Sequence, residues 1–235
     1  APHNPPAIAR CSRRVGLSRL AKMRPTFRLL SDDERGRIAA ASFYLLERVG
    51  VRLTEPEARD LLSEAGARLE GERVTIPTSL VVETIDSAPT SVSLYTRDGE
   101  LAMELGGMSA CFGAHTDAPD VLDPLTGERR PCAEADIGRH AELIDALPTI
   151  RLATASGMVA DRPQAVADRA ALAQCLTHSH KPVLAMPLTP EAVIDSREMA
   201  ALAVGGADVL RDRPTLIVYA EPVSPLVHPD DSIRR

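Results

Sequence analysis

The segment 150–188 reads IRLATASGMVADRPQAVADRAALAQCLTHSHKPVLAMPL, in which two short apolar runs flank a longer, alanine-rich stretch. The runs at 150–156 and 182–188 have the length of buried strands, and residues 163–178 between them have the length of a helix. Strands that alternate with helices in this way are typical of parallel α/β folds. The segment therefore predicts a strand–helix–strand unit.

The same alternation continues on both sides of this unit. Further strands are predicted at 109–115 and 214–220, and further helices at 133–147 and 190–205. The sequence has no GxGxxG motif after a strand and no GxxxxGK motif, so nothing favours a dinucleotide-binding or P-loop variant. The predicted fold class is α/β, a partial TIM-type (βα) barrel of about four βα units.

A small α+β module is predicted ahead of the barrel. Ser31 and Glu34 have the spacing of a capping box at the start of a first helix. A second helix is predicted to open at Thr54, a hairpin to turn near 70–72, and a third helix to start at Pro77. Two lead-in strands, predicted near 92–95 and 101–105, connect this module to the barrel.

These elements define three predicted regions. Residues 1–30 are expected to be a loosely ordered leader, 31–108 the α+β module with its lead-in strands, and 109–235 the first half of a (βα)8 barrel. A complete barrel needs eight strands and about 250 residues. Because the last residues, 227–235, lie where a fourth crossover helix should begin, we expect a fragment, or a chain that needs a partner to cover an open strand edge.

Composition excludes several classes of function. With 33 acidic and 27 basic residues interspersed, the chain lacks the basic stripe that nucleic-acid binding requires. Its four cysteines form no CxxC pair, which favours a reducing, cytoplasmic setting. No apolar stretch approaches the roughly 20 residues that span a bilayer, so a soluble protein without a membrane partner is expected.

Three quoted blocks resemble the trimethylamine methyltransferase family. They are LLERVGVRLTEPEARDLLSEAGARLEGERVTIP at 45–77, CFGAHTDAPDVLDPLTGERRP at 111–131 and AEPVSPL at 220–226. The first block is mainly a packing pattern, whereas DPLTGERR and EPVSPL are distinctive strings. The resemblance covers roughly 31–226 and implies the same order of a small module followed by a βα barrel.

By this resemblance, the protein is an amine:corrinoid methyltransferase of one-carbon metabolism, methanogenesis included. It would move a methyl group from a methylated amine or quaternary ammonium compound, such as trimethylamine or a glycine-betaine-like molecule, to the cobalt of a separate corrinoid protein. The corrinoid (cobalamin) is carried by that partner, and no cofactor is expected on this chain. The resemblance does not determine which methylated amine is the substrate or whether the chain belongs to the pyrrolysine or the non-pyrrolysine branch of the family. It also leaves open whether the chain forms a homo-oligomer.

Five residues at predicted strand ends are the candidate substrate-binding groups. Active sites of βα barrels lie at the carboxyl ends of the strands. A quaternary ammonium is held by aromatic faces and a counter-charge, which Phe112, Tyr219, Asp117 and Glu221 could supply, while His115 could bind a substrate carboxylate. The alternative interpretation is that the two aromatic rings fill the barrel interior, the two acids cap turns, and His115 is solvated.

Other interpretations of the sequence stay open. One is an inactive fragment or interaction subunit of the same family. Another is an unrelated α/β-barrel lyase or hydrolase that uses Asp117, His115 and Glu221 as acid and base. The grouping of Cys175, His178 and His180 is interpreted as a surface cluster and not as a metal site, and residues 123–130 are predicted to form a turn.

Overall fold

The structure is a computed structural model that describes residues 28–107 and 109–235. The described residues divide at position 42, so that 28–42 belong to one unit and 43–235, apart from position 108, to a second, compact unit. Most of the predicted leader therefore lies outside the described residues. In the first unit the predicted capping box is confirmed, because the Glu34 carboxylate accepts from the Ser31 backbone and hydroxyl at 2.8 Å each, and Ser31 Oγ accepts from the Glu34 N–H at 3.3 Å.

The elements of the described residues alternate as follows. The helices are α1 (Asp32–Tyr44), continued by a π-helical turn (Leu45–Val49), α2 (Pro56–Glu64), α3 (Thr78–Ser87), α4 (Glu134–Ala146), α5 (Gln164–His178), α6 (Pro190–Val204), α7 (Ala207–Asp212) and α8 (Asp230–Arg234). The strands are β1 (Val51–Leu53), β2 (Arg68–Glu70), β3 (Arg73–Thr75), β4 (Ser91–Tyr95), β5 (Leu101–Gly106), β6 (Phe112–Gly113), β7 (Asp120–Leu122), β8 (Arg129–Pro131), β9 (Ile150–Thr154), β10 (Val183–Ala185), β11 (Leu216–Val218) and β12 (Val227–His228). Among the described helices, none combines the length and the apolar character needed to cross a membrane.

A four-stranded parallel sheet in the order β11-β10-β9-β6 forms the centre of the second unit. Helices α4, α5 and α6 connect its successive strands. Their inner faces pack with the sheet around Ile137, Ala153, Leu172, Cys175 and Val183, all of which are buried. The prediction of an α/β chain with a parallel sheet is confirmed.

The first strand of this sheet is much shorter than predicted. The prediction spanned 109–115, but only Phe112 and Gly113 pair with β9, and the register shifts between them. Gly113 lies against Leu152, whose Cβ would be 3.2 Å from a Cβ at position 113. Beyond this point the chain stays beside β9, because the Ala114 N–H donates to the Leu152 carbonyl at 3.2 Å and Ala118 forms an isolated parallel bridge with Gly157.

The hairpin of β4 and β5 lies at the amino ends of the parallel strands. The Tyr95 N–H donates to the Pro214 carbonyl at 2.9 Å, and the Arg97 N–H donates to the His180 carbonyl at 2.8 Å. Arg151 donates through Nη1 to the Ala102 carbonyl at 2.8 Å. The opposite, carboxyl ends of the strands are therefore not covered by this hairpin.

A second sheet, in the order β12-β1-β3-β2, belongs to the predicted α+β module. Its hairpin turns at Gly71 as expected, and its core consists of Val51, Leu53, Ala67 and Val74. The second helix starts slightly later than predicted, because its N-cap is Glu55, which accepts from the Ala58 N–H at 2.6 Å. The buried Glu55 carboxylate takes over the role expected of the Thr54 hydroxyl.

The last residues do not run along the parallel sheet as a crossover helix. Instead β12 pairs in parallel with β1, with Arg52 opposite Val227. Helix α8 follows, Ile233 packs on the module core, and Arg234 forms an ion pair with Glu55 at 3.0 Å. Residues 227–235 thus form an edge strand of the second sheet and a short helix, and the predicted crossover helix along the parallel sheet is not seen in this segment.

Candidate functional site

The loop after β6 runs beside the residues that follow β9. The Ala118 N–H donates to the Ser156 carbonyl at 3.1 Å, and the Met158 N–H donates back to the Ala118 carbonyl at 2.9 Å. Gly157 permits this close approach, since a Cβ there would lie 2.4 Å from Cys132 Sγ. Asp117 directly precedes this bridge and so lies at the carboxyl end of the sheet.

Three polar side chains lie in the same region at this end of the sheet, and we call them the Asp117 cluster: Asp117, Tyr219 and Glu221. The Tyr219 hydroxyl donates to the Glu221 carboxylate. Partial desolvation raises the pKa of Asp117, and the negative charge of Glu221 raises it further, although the Thr116 hydroxyl opposes the shift. The hydrogen bond to Glu221 raises the pKa of Tyr219, with a contribution from the charge of Asp117. Each group thus lies within the electrostatic field of the other two.

Asp117 also lies at the mouth of a cavity of about 420 Å³. Helix α5, strand β10 and the loop after β9 supply its walls. Exposed side chains, Met158 and Leu188, line it near the surface, whereas buried Ala171, Cys175 and Val183 line its floor. Burial raises the pKa of Cys175 to about 12, so this thiol stays protonated at neutral pH.

The other charged groups that line the cavity have partners. Arg162 forms an ion pair with Glu134. Asp168 accepts from the Leu188 N–H at 2.9 Å and pairs with Arg169 at 3.0 Å. Within residues 28–107 and 109–235, Asp117 takes part in no ion pair, which leaves its carboxylate available as a counter-charge for a ligand.

Phe112 and His115 lie outside the Asp117 cluster. Phe112 is 69% exposed and lies on β6, while Tyr219 follows β11 at the opposite edge of the sheet. Three strand spacings, roughly 14 Å, separate these two edges, so the two rings do not surround one small cation. The His115 ring packs edge-on against His140 instead, with ring centroids 5.4 Å apart.

His140 was not identified from the sequence. Burial lowers its pKa, and the neighbouring His115 lowers it further. Its Nδ1 atom is buried and has no hydrogen-bond partner among the described residues. The sequence could have indicated this burial, because His140 lies on the same face of the predicted helix as Ile137 and Ile144. That face of α4 packs against the sheet.

The Cys175, His178 and His180 side chains do not converge. Cys175 is buried in the core, His178 contacts Glu142 at 2.8 Å, and His180 contacts Asp145 at 3.3 Å. Since Cys175 is buried and each of the two histidines has its own carboxylate partner, the three side chains do not form the surface cluster that the sequence suggested.

The segment 123–130 forms the predicted turn, between β7 and β8. The Asp123 carboxylate accepts from the Leu125 and Thr126 N–H groups at 2.9 Å each. Arg130 donates twice to Asp136, at 2.6 and 2.8 Å, which ties the turn to the first turn of α4. The distinctive sequence of this segment therefore has an architectural role.

Comparison with known proteins gives consistent results. Residues 7–234 match the model of a family described as trimethylamine methyltransferase. The chain is 27% identical over 211 residues to a glycine betaine methyltransferase of Desulfitobacterium hafniense strain Y51, covering 88% of this chain and 43% of that protein. It is 28% identical over 198 residues to the trimethylamine methyltransferase MttB of D. hafniense strain DSM 10664 / DCB-2, covering 83% of this chain and 40% of that protein. The chain thus spans less than half the length of either relative.

Proposed function

The chain belongs to the trimethylamine methyltransferase family, and on that premise we propose that it binds a methylated amine or quaternary ammonium compound and directs one methyl group to a corrinoid cobalt carried by a separate protein. The observation that carries this proposal is the Asp117 carboxylate, which lines an apolar cavity and forms no ion pair with any residue that the structure describes. This cavity opens at the carboxyl ends of parallel strands, where barrel enzymes hold their substrates.

A methylated ammonium makes specific demands on its site. A quaternary nitrogen has no N–H group to donate, so it is recognised through its charge and its apolar methyl surface. Asp117 supplies the charge, and Met158 and Met186 of the cavity wall supply polarizable apolar contacts. The Tyr219 ring, 36% exposed, lies near Asp117 and offers an aromatic face.

Methyl transfer needs orientation more than acid–base catalysis. The N–CH3 bond breaks, its electron pair stays on nitrogen, and a neutral amine is released. When bound by its carrier protein, the corrinoid supplies the reduced cobalt that accepts the methyl group. Because the ammonium loses its charge during the reaction, Asp117 stabilises the bound substrate more than the transition state, and it should contribute to affinity more than to rate.

We further propose that the four parallel strands and the helices that connect them belong to one half of a (βα)8 barrel. The outer edges of β6 and β11 carry no strand partner among the described residues. Both relatives are more than twice as long as the matched region. A further set of βα units pairing with these two edges would close the barrel around the carboxyl-end site.

The corrinoid protein is the partner that this proposal requires. Met158 is 58% exposed and Leu188 is 51% exposed, and both line the cavity near Asp117. Exposed apolar side chains beside a substrate site are suited to contact with a second protein. Since Cys132 and Cys175 are buried free thiols, we place the reaction in the reducing cytoplasm.

Calorimetric titration with tetramethylammonium and glycine betaine tests the binding half of this proposal. We expect saturable binding by the wild-type chain and roughly tenfold weaker binding by Asp117→Asn, which corresponds to about 1.4 kcal/mol. Asp86→Asn, at an exposed position of α3, is the matched control and should bind as the wild type does. Equal affinity of the wild type and Asp117→Asn would remove Asp117 from the site, and no binding by a folded chain would refute the proposal.

A further inference from the structure

The cavity behind Asp117 is larger than a compact methylated amine requires. Its volume is about 420 Å³. An apolar cavity of roughly 150 Å³ already accommodates benzene, which has six heavy atoms. Tetramethylammonium has five heavy atoms, so it would leave most of this space empty.

The walls of the cavity change character with depth. The charged lining groups are Asp117, which is exposed, and Arg162 and Asp168, which are held by partners of their own. The floor is formed by Ala171, Leu172, Cys175, Val183 and Ala185, which are buried and uncharged. A carboxylate placed on this floor would lose its hydration without gaining a partner, which is strongly unfavourable. The deep part of the cavity therefore suits an uncharged apolar group.

We propose that the preferred substrate is a methylated ammonium carrying an uncharged apolar chain, with its cation at Asp117 and its chain in the cavity between α5 and β10. This inference rests on the proposed function, since it assigns the cation to the same carboxylate. It adds a preference: compact methylated amines and short zwitterions bind more weakly than alkyl-bearing ammonium compounds.

Chain length provides a quantitative test of this geometry. Burial of one methylene group in an apolar site strengthens binding by about fourfold at most. Affinity should therefore rise with each added methylene while the chain fills the cavity, and it should stop rising once the cavity is full. A cation bound only at the surface, beside Asp117, would show no such dependence.

The experiment is a calorimetric titration of the wild-type chain with tetramethyl-, butyltrimethyl-, hexyltrimethyl- and octyltrimethylammonium. Hexyltrimethylammonium has five more methylene groups than tetramethylammonium, so their complete burial would strengthen binding by about 1,000-fold. We expect at least half of that free energy, which is roughly 30-fold tighter binding. Ala167→Leu, on the cavity wall, should reduce this ratio below about fivefold by filling space. Ala173→Leu lies on the same helix and is similarly half-buried, but it does not line the cavity, so it should leave the ratio unchanged.

The outcomes separate this inference from the proposed function. Equal affinity for all four cations, with binding still weakened by Asp117→Asn, would overturn the apolar-chain preference alone. If Ala167→Leu and Ala173→Leu reduced the hexyltrimethylammonium-to-tetramethylammonium affinity ratio equally, the apolar-chain preference would also be overturned. If hexanol bound as tightly as hexyltrimethylammonium, and Asp117→Asn weakened the binding of neither ligand, the cation would not be recognised. That result would overturn both the apolar-chain preference and the proposed function. If Ala167→Leu does not fold, the same affinity ratio is measured for Ala167→Met, and the dependence of wild-type affinity on chain length is the second test.

Discussion

At the residue scale, the site depends on the backbone conformation of Asp117. Its φ is 60°, in the left-handed region that aspartate and asparagine tolerate better than most residues. The loop can therefore turn at this point and present the carboxylate to the cavity. Asn is accordingly the better test substitution, because Ala would add backbone strain to the loss of charge.

The contact between Glu221 and its neighbours gives a prediction about titration. Because Glu221 accepts the Tyr219 hydrogen bond, Glu221→Gln should lower the pKa of Tyr219 towards the ordinary value for tyrosine. It should also lower the pKa of Asp117 in part, since desolvation, the larger cause, remains. Ultraviolet titration of tyrosine, with Tyr219→Phe to identify the signal, measures the first shift. An unchanged tyrosine titration would mean that the two side chains do not meet; Glu128→Gln is the control.

Asp136 is predicted to stabilise the folded chain in a pH-dependent way. Its side chain is only 12% exposed, and the hydrogen bonds from Arg130 hold its pKa well below the usual range. The stabilisation is therefore complete at a pH above the pKa of aspartate in the unfolded chain, about 3.9. It is lost as the pH falls through the lower pKa of Asp136 in the folded chain. Asp136→Asn should reduce the free energy of unfolding at pH 7 by about 1–3 kcal/mol.

Urea unfolding at several pH values checks this prediction. The difference between the wild type and Asp136→Asn should shrink as the pH falls below about 4. Asp212→Asn, at an exposed position, should change stability little at any pH. A difference that stays constant down to the lowest pH would show that Asp136 acts through its shape and not through its charge.

Residue identities were partly predictable from the sequence. The sequence pointed to Asp117, Tyr219 and Glu221 as strand-end groups, and the structure brings these three together. It could not show the path of the loop after β6, because that path depends on long-range backbone hydrogen bonds to the residues after β9. For this reason Phe112 could not be separated from the cluster, and His140 was not identified.

At the element scale, glycine positions distinguish close packing from open surface. Gly157→Ala would place a Cβ 2.4 Å from Cys132 Sγ and 2.9 Å from Cys132 Cβ, in a buried part of the loop after β9. We expect a loss of roughly 1–3 kcal/mol in the free energy of unfolding, measured in urea. A neutral effect would contradict the close approach of this loop to Cys132.

Gly36→Ala is the matched comparison. Gly36 is exposed within α1, and a Cβ added there would meet no atom of the described residues within 4 Å outside its own helix backbone. Alanine there should stabilise the helix by roughly 0.5–1 kcal/mol, because it restricts the unfolded chain. Circular dichroism should then show equal or greater helicity.

Elements formed by local patterns were predicted well, and those formed by distant partners were not. The helices α4, α5 and α6 and the strands β9, β10 and β11 lie within the ranges predicted from apolar runs and helix caps. The two-residue strand β12 has no such pattern. It exists because Val227 and His228 pair with β1, more than 170 residues earlier in the chain. Sequence periodicity carries no signal for that pairing.

At the scale of the whole molecule, the buried Glu55 carboxylate connects the start of α2 to the last helix. It is 4% exposed, accepts from the Ala58 N–H and pairs with Arg234. Glu55→Ala should lower the free energy of unfolding by about 1–2 kcal/mol. Hydrogen exchange should become faster both in β1 and in 227–235, whereas Glu57→Ala, two residues away and exposed, should leave both segments protected. Faster exchange in only one segment would contradict their coupling.

Methyl transfer to free reduced cobalamin is the most direct test of the central claim, that this chain presents a methylated ammonium to a corrinoid. The absorbance spectrum of methylcobalamin reports the product. We predict its formation with the wild-type chain and a methylated ammonium, and we predict that Asp117→Asn needs roughly tenfold more ammonium to reach the same rate. A folded wild-type chain that binds the ammonium but yields no methylcobalamin, with either free cobalamin or a corrinoid protein, would contradict the claim.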